Sequence, residues 1–86
     1  MTTIHQLKIL SKYYKSVISG EKTFEVRKDD RNFKVGDIVI LNEIDDLNIF
    51  TGNYIGVRIT YIIRDSDFCK SGFCIFSFER LSRIRL

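Results

Sequence analysis

Eighty-six residues leave room for one hydrophobic core, so the chain is read as a single domain over 1–86 and a multidomain organisation is excluded. Hydrophobic residues at 44% and charged residues at 29% exclude a disordered chain, and a net charge of +3 permits an anionic partner without requiring one. Thirteen Ile, seven Phe, five Val and four Tyr against six Leu and no Ala, Trp or Pro suit a pleated, half-buried surface and argue against a helical bundle.

The first element is a strand over His5–Ile9, where Leu7 and Ile9 share one face and Lys8 takes the other. Ser11 is placed to cap a helix over Lys12–Ile18, with Tyr14, Val17 and Ile18 on one side and Gly20 as its stop. Period two returns over Glu21–Lys28: Phe24 and Val26 are assigned to the core face, and Thr23, Glu25 and Arg27 to the opposite, charged face. Asp29–Asn32 is a loop and Val35-Gly36-Asp37 a turn into a third strand, Ile38–Glu43, apolar on both faces as a central strand would be. After a loop over Asp45–Asn53, a long fourth strand runs from Tyr54 to about Arg64, with Ile55, Val57, Ile59, Tyr61 and Ile63 inward. Asp65–Gly72 is a loop, and Phe73–Leu81 forms a fifth strand with Phe76 and Phe78 inward. Five strands, one early helix and short connections predict a mainly β (α+β) domain, a small barrel or highly curved sheet closed around Phe24, Val26, Ile59, Tyr61, Phe76 and Phe78.

The stretch richest in chemistry is Gly20-Glu21-Lys22-Thr23-Phe24-Glu25-Val26-Arg27, followed by Asp30 and Arg31. Thr23, Glu25 and Arg27 lie side by side on one strand face, and Lys22 stands at the corner beside them. Arg grips a phosphate or carboxylate bidentately, Lys acts as a point charge and Glu accepts from a base amino group, so the set suits a nucleotide. The alternative is a solvated Glu25–Arg27 pair worth roughly 0–1 kcal/mol. Tyr54, Phe50 and Tyr13 are the aromatics available for base stacking, with a core role as the alternative. Arg80, Arg83 and Arg85 either extend a basic edge or form a solvated tail.

The remaining candidates are weaker. His5 is the single histidine and is read as partly buried and held by a hydrogen bond, with acid–base work beside Lys22 and Glu25 as the alternative. Cys69 and Cys74, with one histidine elsewhere, fall short of four zinc ligands, so no metal or other cofactor is expected and two free thiols are. No apolar run approaches the about eighteen residues of a membrane span, and a cytoplasmic location is expected.

Gly20-x-Lys22-x-x-Glu25-x-Arg27 resembles the G-x-K-x-x-E-x-R signature of ASCH domains, small β-barrels of the PUA-like superfamily. The surrounding text resembles a compact ASCH-like family of bacterial and phage proteins of unknown function. It matches an opening H-x-L-K-I strand (His5, Leu7, Lys8, Ile9), an N-D-R-x-F-x-V-G-D stretch (Asp29 to Asp37) and a T-G step (Thr51-Gly52). An I-T-Y-I strand (Ile59 to Ile62) and a closing strand (Gly72, Phe73, Ser77, Phe78) extend the likeness over nearly the whole chain. Asp29 stands where that family usually has Asn, and Ser11 where it often has Pro.

The resemblance implies RNA binding in a cleft between helix and barrel, here through Lys22, Thr23, Glu25 and Arg27 with Arg31 and the loop from Phe50 to Tyr54 at the rim. One ASCH branch looks like an amidohydrolase of acylated cytidine using a Lys, a Thr and a distant Glu. Lys22 matches its lysine, Glu25 occupies its Thr position, and none of Asp65, Asp67 and Glu79 is singled out as the distant carboxylate. The leading expectation is therefore an RNA- or nucleotide-binding domain. The second is a small hydrolase on a modified nucleoside or RNA, with Lys22 as activated amine or electrostatic stabiliser and Glu25 as general acid or base. A third is a phage or plasmid accessory factor that binds protein.

Overall fold

The computed structural model describes residues 2–65 and 67–81; the expectations for Arg83 and Arg85 fall outside them. The elements run β1 (Ile4–Leu10), α1 (Ser11–Ser19), β2 (Phe24–Lys28), β3 (Ile38–Ile44), β4 (Phe50–Ile63) and β5 (Phe73–Arg80). The strands form one sheet in the order β1-β3-β4-β5-β2, with β1 parallel to β3 and every other pairing antiparallel. The sheet curls into a half-barrel around Leu7, Ile9, Phe33, Val39, Val57, Phe76 and Phe78. Its two edge strands, β1 and β2, meet across a seam that side chains cross: the Arg27 guanidinium on β2 donates to the Lys8 carbonyl on β1 at 2.5 Å. Five strands with one helix between the first two is the predicted architecture.

The helix forms where expected and stops at Gly20, whose left-handed φ of 86° lets its N–H reach the Val17 carbonyl. Arg80 donates to the Ile18 carbonyl at the same end, so this arginine closes the helix onto β5. Ser11 is not the cap; its hydroxyl donates to the Ile44 carbonyl at 3.0 Å, tying the first helical turn to the end of β3. Val17 is the buried helix residue, whereas Ile18 is exposed.

Two strand faces differ from expectation. On β2 the core-facing residues are Glu25 and Arg27, opposite Phe76 and Cys74 of β5, and Phe24 and Val26 point outward at 46% and 55% exposure. Alternation identifies the two faces of a strand but not which one turns inward, and this edge strand turns its charged face to the seam. On β4 the register against β5 shifts by one residue between Ile59 and Tyr61. Such a bulge reverses the alternation beyond it, so Ile59 is buried, Tyr61 is exposed and Ile62 packs on the core. β4 also starts earlier than predicted, at Phe50, because Asp45 closes a tight turn: its carboxylate accepts from the Leu47 and Ile49 amides, with Asn48 at φ 63°.

The turn before β3 is pinned from inside the half-barrel. His5 Nε2 lies 2.8 Å from Asp37 Oδ2, the imidazole N–H donating, and its ring packs 4.8 Å from that of Phe33. Burial pushes the Asp37 carboxyl up, but the bond from His5 and those from the Lys34 and Thr3 amides outweigh it and hold it below the ordinary carboxylate range.

Truncating an inward ring and an outward side chain tests the face assignment. Phe76→Ala is expected to cost about 3–5 kcal/mol and Val26→Thr under about 0.5 kcal/mol in urea unfolding; comparable losses would contradict the outward placement of Val26. Because the folded pKa of Asp37 is depressed, its contribution is present above the unfolded value of about 3.9 and disappears as pH falls through the lower folded value. Asp37→Asn should therefore flatten the acid limb of the stability–pH curve and lower stability at neutral pH, and an unchanged acid limb would contradict this role.

Candidate functional site

The seam between β1 and β2 is where charged side chains replace a backbone ladder. Two sequence features place them there: the turn after Gly20 delivers Lys22 beside the start of β2, and period two puts Glu25 and Arg27 on one face. Glu25 is only 5% exposed. Its Oε1 accepts from the Lys22 ammonium and its Oε2 from Arg27 Nε at 2.7 Å, so both oxygens are engaged by cations. Arg27 then spends a further N–H on the Lys8 carbonyl across the seam. A buried carboxylate without these partners would be strongly unfavourable, so the expected Glu25–Arg27 pair exists in a buried form rather than as a solvated surface pair.

Lys22 is committed on every side. Besides Glu25 its ammonium donates to the Phe24 carbonyl at 2.6 Å, and it lies 5.1 Å from the Phe24 ring centre and 5.7 Å from that of Tyr13. This is the arrangement of a charged lysine held by acceptors and aromatic faces.

Two grooves flank Arg27 and share Lys8 and Arg27 as lining. One, of about 540 Å³, is lined by Gln6, Lys8, Arg27, Lys28, Asp30, Arg31, Asn42 and Phe50, with Leu7 and Phe33 at its base. Four cations face a single carboxylate there, and Asp30 approaches Arg31 only to 4.0 Å in an exposed pair of little energetic weight. The other groove, of about 500 Å³, is aromatic and apolar: Leu10, Tyr13, Phe24 and Val26 surround the Lys22–Glu25–Arg27 cluster.

Of the candidate residues, Lys22, Glu25 and Arg27 come together at the seam, and Arg31 lines the cationic groove. Thr23 and Tyr54 line neither groove; Thr23 lends its carbonyl to the Phe78 amide, and Tyr54 its carbonyl to the Tyr14 hydroxyl. Of the other two aromatics, Phe50 stands in the cationic groove beneath the Lys8 ammonium at 5.5 Å, and Tyr13 in the aromatic one. Sequence reasoning passed over Gln6, Lys8, Lys28 and Asn42. Lys8 is set opposite Asn42 by the parallel register of β1 on β3, a pairing between distant segments that carries no local signal.

His5 is occupied by Asp37 rather than by Lys22 or Glu25. Cys69 and Cys74 are both buried free thiols; Cys69 donates to the Ile63 carbonyl, and burial raises the Cys74 thiol, which leaves it protonated and unreactive. Away from the seam, Glu43 is buried beside the Thr51-Gly52-Asn53 step. Its Oε1 accepts from the Thr51 hydroxyl at 2.7 Å and the Asn53 amide at 3.0 Å, bonds that hold its carboxyl below the usual range. Among the described residues no three His, Cys, Asp and Glu side chains are placed to hold a metal ion, and no helix is long and apolar enough to cross a membrane.

Residues 4–78 match the model of the family described as Domain of unknown function (DUF3850). The chain belongs to the DUF3850 family. It is also similar to the "Uncharacterized 12.9 kDa protein in GpA 3'region" of Escherichia phage P2, with 41% identity over 70 residues that cover 81% of this chain and 63% of the relative. The chain thus spans less than two thirds of that relative's length. The stretch matched to the DUF3850 family includes β1, α1 and all of β2, and therefore every residue that builds the seam.

The seam of this DUF3850 domain makes a direct stability prediction. Glu25→Gln removes the charge that both cations share and should cost about 3–4 kcal/mol, the lower part of the range for breaking a buried ion pair because Lys22 and Arg27 keep some access to water. Urea unfolding within about 0.5 kcal/mol of the wild type would show that the pair contributes no more than a surface one.

Proposed function

We propose that this domain binds single-stranded RNA or a nucleotide along the β1–β2 seam. The observation that carries the reading is the groove of about 540 Å³ in which Lys8, Arg27, Lys28 and Arg31 face one carboxylate beside an exposed aromatic, Phe50. Cations that meet a phosphate backbone, with an aromatic face on which a base can stack, are the two components of single-strand recognition. The resemblance of Gly20-x-Lys22-x-x-Glu25-x-Arg27 to the ASCH signature of the PUA-like superfamily supports the same reading, because those domains are proposed to bind RNA beside their helix. Glu25 serves here as the anchor that orients Lys22 and Arg27, since both its oxygens are already taken. Phosphate contacts would set affinity; Asn42 Nδ2 donates to Gln6 Oε1 and the Leu7 carbonyl, which leaves Gln6 Nε2 and Asn42 Oδ1 in the groove to contact base edges.

Fluorescence anisotropy with labelled decauridylate (rU10) tests this. Affinity should fall as salt rises from about 50 to 200 mM, and Lys28→Ala and Arg31→Ala should each weaken binding and reduce the log–log salt slope by about 0.7. Both residues are exposed, so neither substitution disturbs the core. Absence of binding, or equal binding by the wild type and both variants, would overturn the proposal.

A further inference from the structure

Arg27 divides the seam into two grooves of closely similar size, about 540 and 500 Å³. Each is within the range of roughly 300–1,000 Å³ typical of small-ligand sites. They differ in charge but share one feature, an exposed aromatic ring with an ammonium beside it. On one side the Lys8 ammonium lies 5.5 Å from the Phe50 ring centre; on the other, Lys22 lies 5.7 Å from that of Tyr13 and 5.1 Å from that of Phe24. Tyr13, Phe24 and Phe50 are 44%, 46% and 57% exposed, so each groove holds an aromatic surface still open to a flat ligand, with a cation beside it. Between them stands the Arg27 guanidinium, fixed by Glu25 Oε2 on one side and the Lys8 carbonyl on the other. A guanidinium held in this way offers its remaining N–H groups to a phosphate without losing further side-chain freedom.

From an aromatic surface on each side of one fixed guanidinium we infer that the unit recognised is a dinucleotide step of a single strand. One base stacks on Phe50, the next on Tyr13 and Phe24, and Arg27 carries the phosphate that joins them. The inference rests on the nucleic-acid reading above and deepens it from a class of ligand to a minimum length. A lone nucleotide fills one groove and leaves the other to water, whereas a dinucleoside monophosphate fills both with a single phosphate. The comparison separates stacking from charge, because uridine monophosphate carries more negative charge than uridylyl-uridine yet has one base fewer.

Competition against labelled rU10 reads the difference. Uridylyl-uridine should displace the probe at a concentration at least about 5-fold below that needed with uridine monophosphate, the lower end of what one additional base–aromatic stack gives. Phe50→Ala and Tyr13→Ala should each weaken uridylyl-uridine by about 5- to 150-fold, and neither ring is part of the core, so circular dichroism should match the wild type. If rU10 binds but uridine monophosphate competes as well as uridylyl-uridine, the dinucleotide inference is overturned while single-strand binding stands. The same holds if only one of the two ring substitutions has an effect. If rU10 does not bind at all, both readings fall.

Discussion

Glu25 lies almost without solvent on the inner side of β2, its oxygens shared between Lys22 and Arg27, and a carboxylate so placed is tolerable only while both cations remain. That requirement fixes three things together. Lys22 must leave the helix C-terminus in the direction the turn after Gly20 provides, β2 must present its charged face inward, and Arg27 must lie flat enough to reach the Lys8 carbonyl on β1. A hydrophobic set at the same positions would close the edge more cheaply, since buried ion pairs add little net stability. What the charges contribute is a fixed array of N–H donors at the mouth of the half-barrel.

The same logic accounts for how the sheet ends. An open five-stranded sheet leaves two edges with unpaired backbone groups, and here the edges face each other and are joined by side chains. His5 and Asp37 pin the turn into β3, and Arg64 ties the end of β4 to the loop after β2 through Asp29 at 2.6 Å and the Phe33 carbonyl at 2.6 Å. The loop that carries Asp30 and Arg31 is therefore anchored at its base while its charged side chains project over the cationic groove.

Much of the fold was legible locally. The helix and its glycine stop and the five strands follow from period and propensity, because side-chain alternation and a left-handed C-terminal residue are properties of short segments. Phe24, Val26 and Tyr61 were assigned to the core and are exposed. For the first two, the pattern defines a pair of faces and leaves their sense to whatever β5 and β1 place around them. For Tyr61, a single bulged residue at Thr60 reverses the alternation, and nothing in Ile59-Thr60-Tyr61-Ile62 marks it. The candidate site shows the same division. Lys22, Glu25 and Arg27 were found because they are close in sequence, while Gln6, Lys8 and Asn42 join the groove only through the parallel pairing of β1 with β3.

By itself the sequence determined a mainly β domain with one early helix, and a dense cluster of Lys, Glu and Arg after Gly20. Those are consequences of residue type and spacing, which act over a few positions. Only the tertiary structure decided that the cluster is buried at a seam, that Glu25 is an anchor for two cations, and that Arg27 separates a cationic groove from an aromatic one. Burial and the sense of a strand face are set by what packs against it. For β2 that is β5 on one side and the facing edge of β1 on the other, elements separated from it along the chain and brought together by the curl of the sheet.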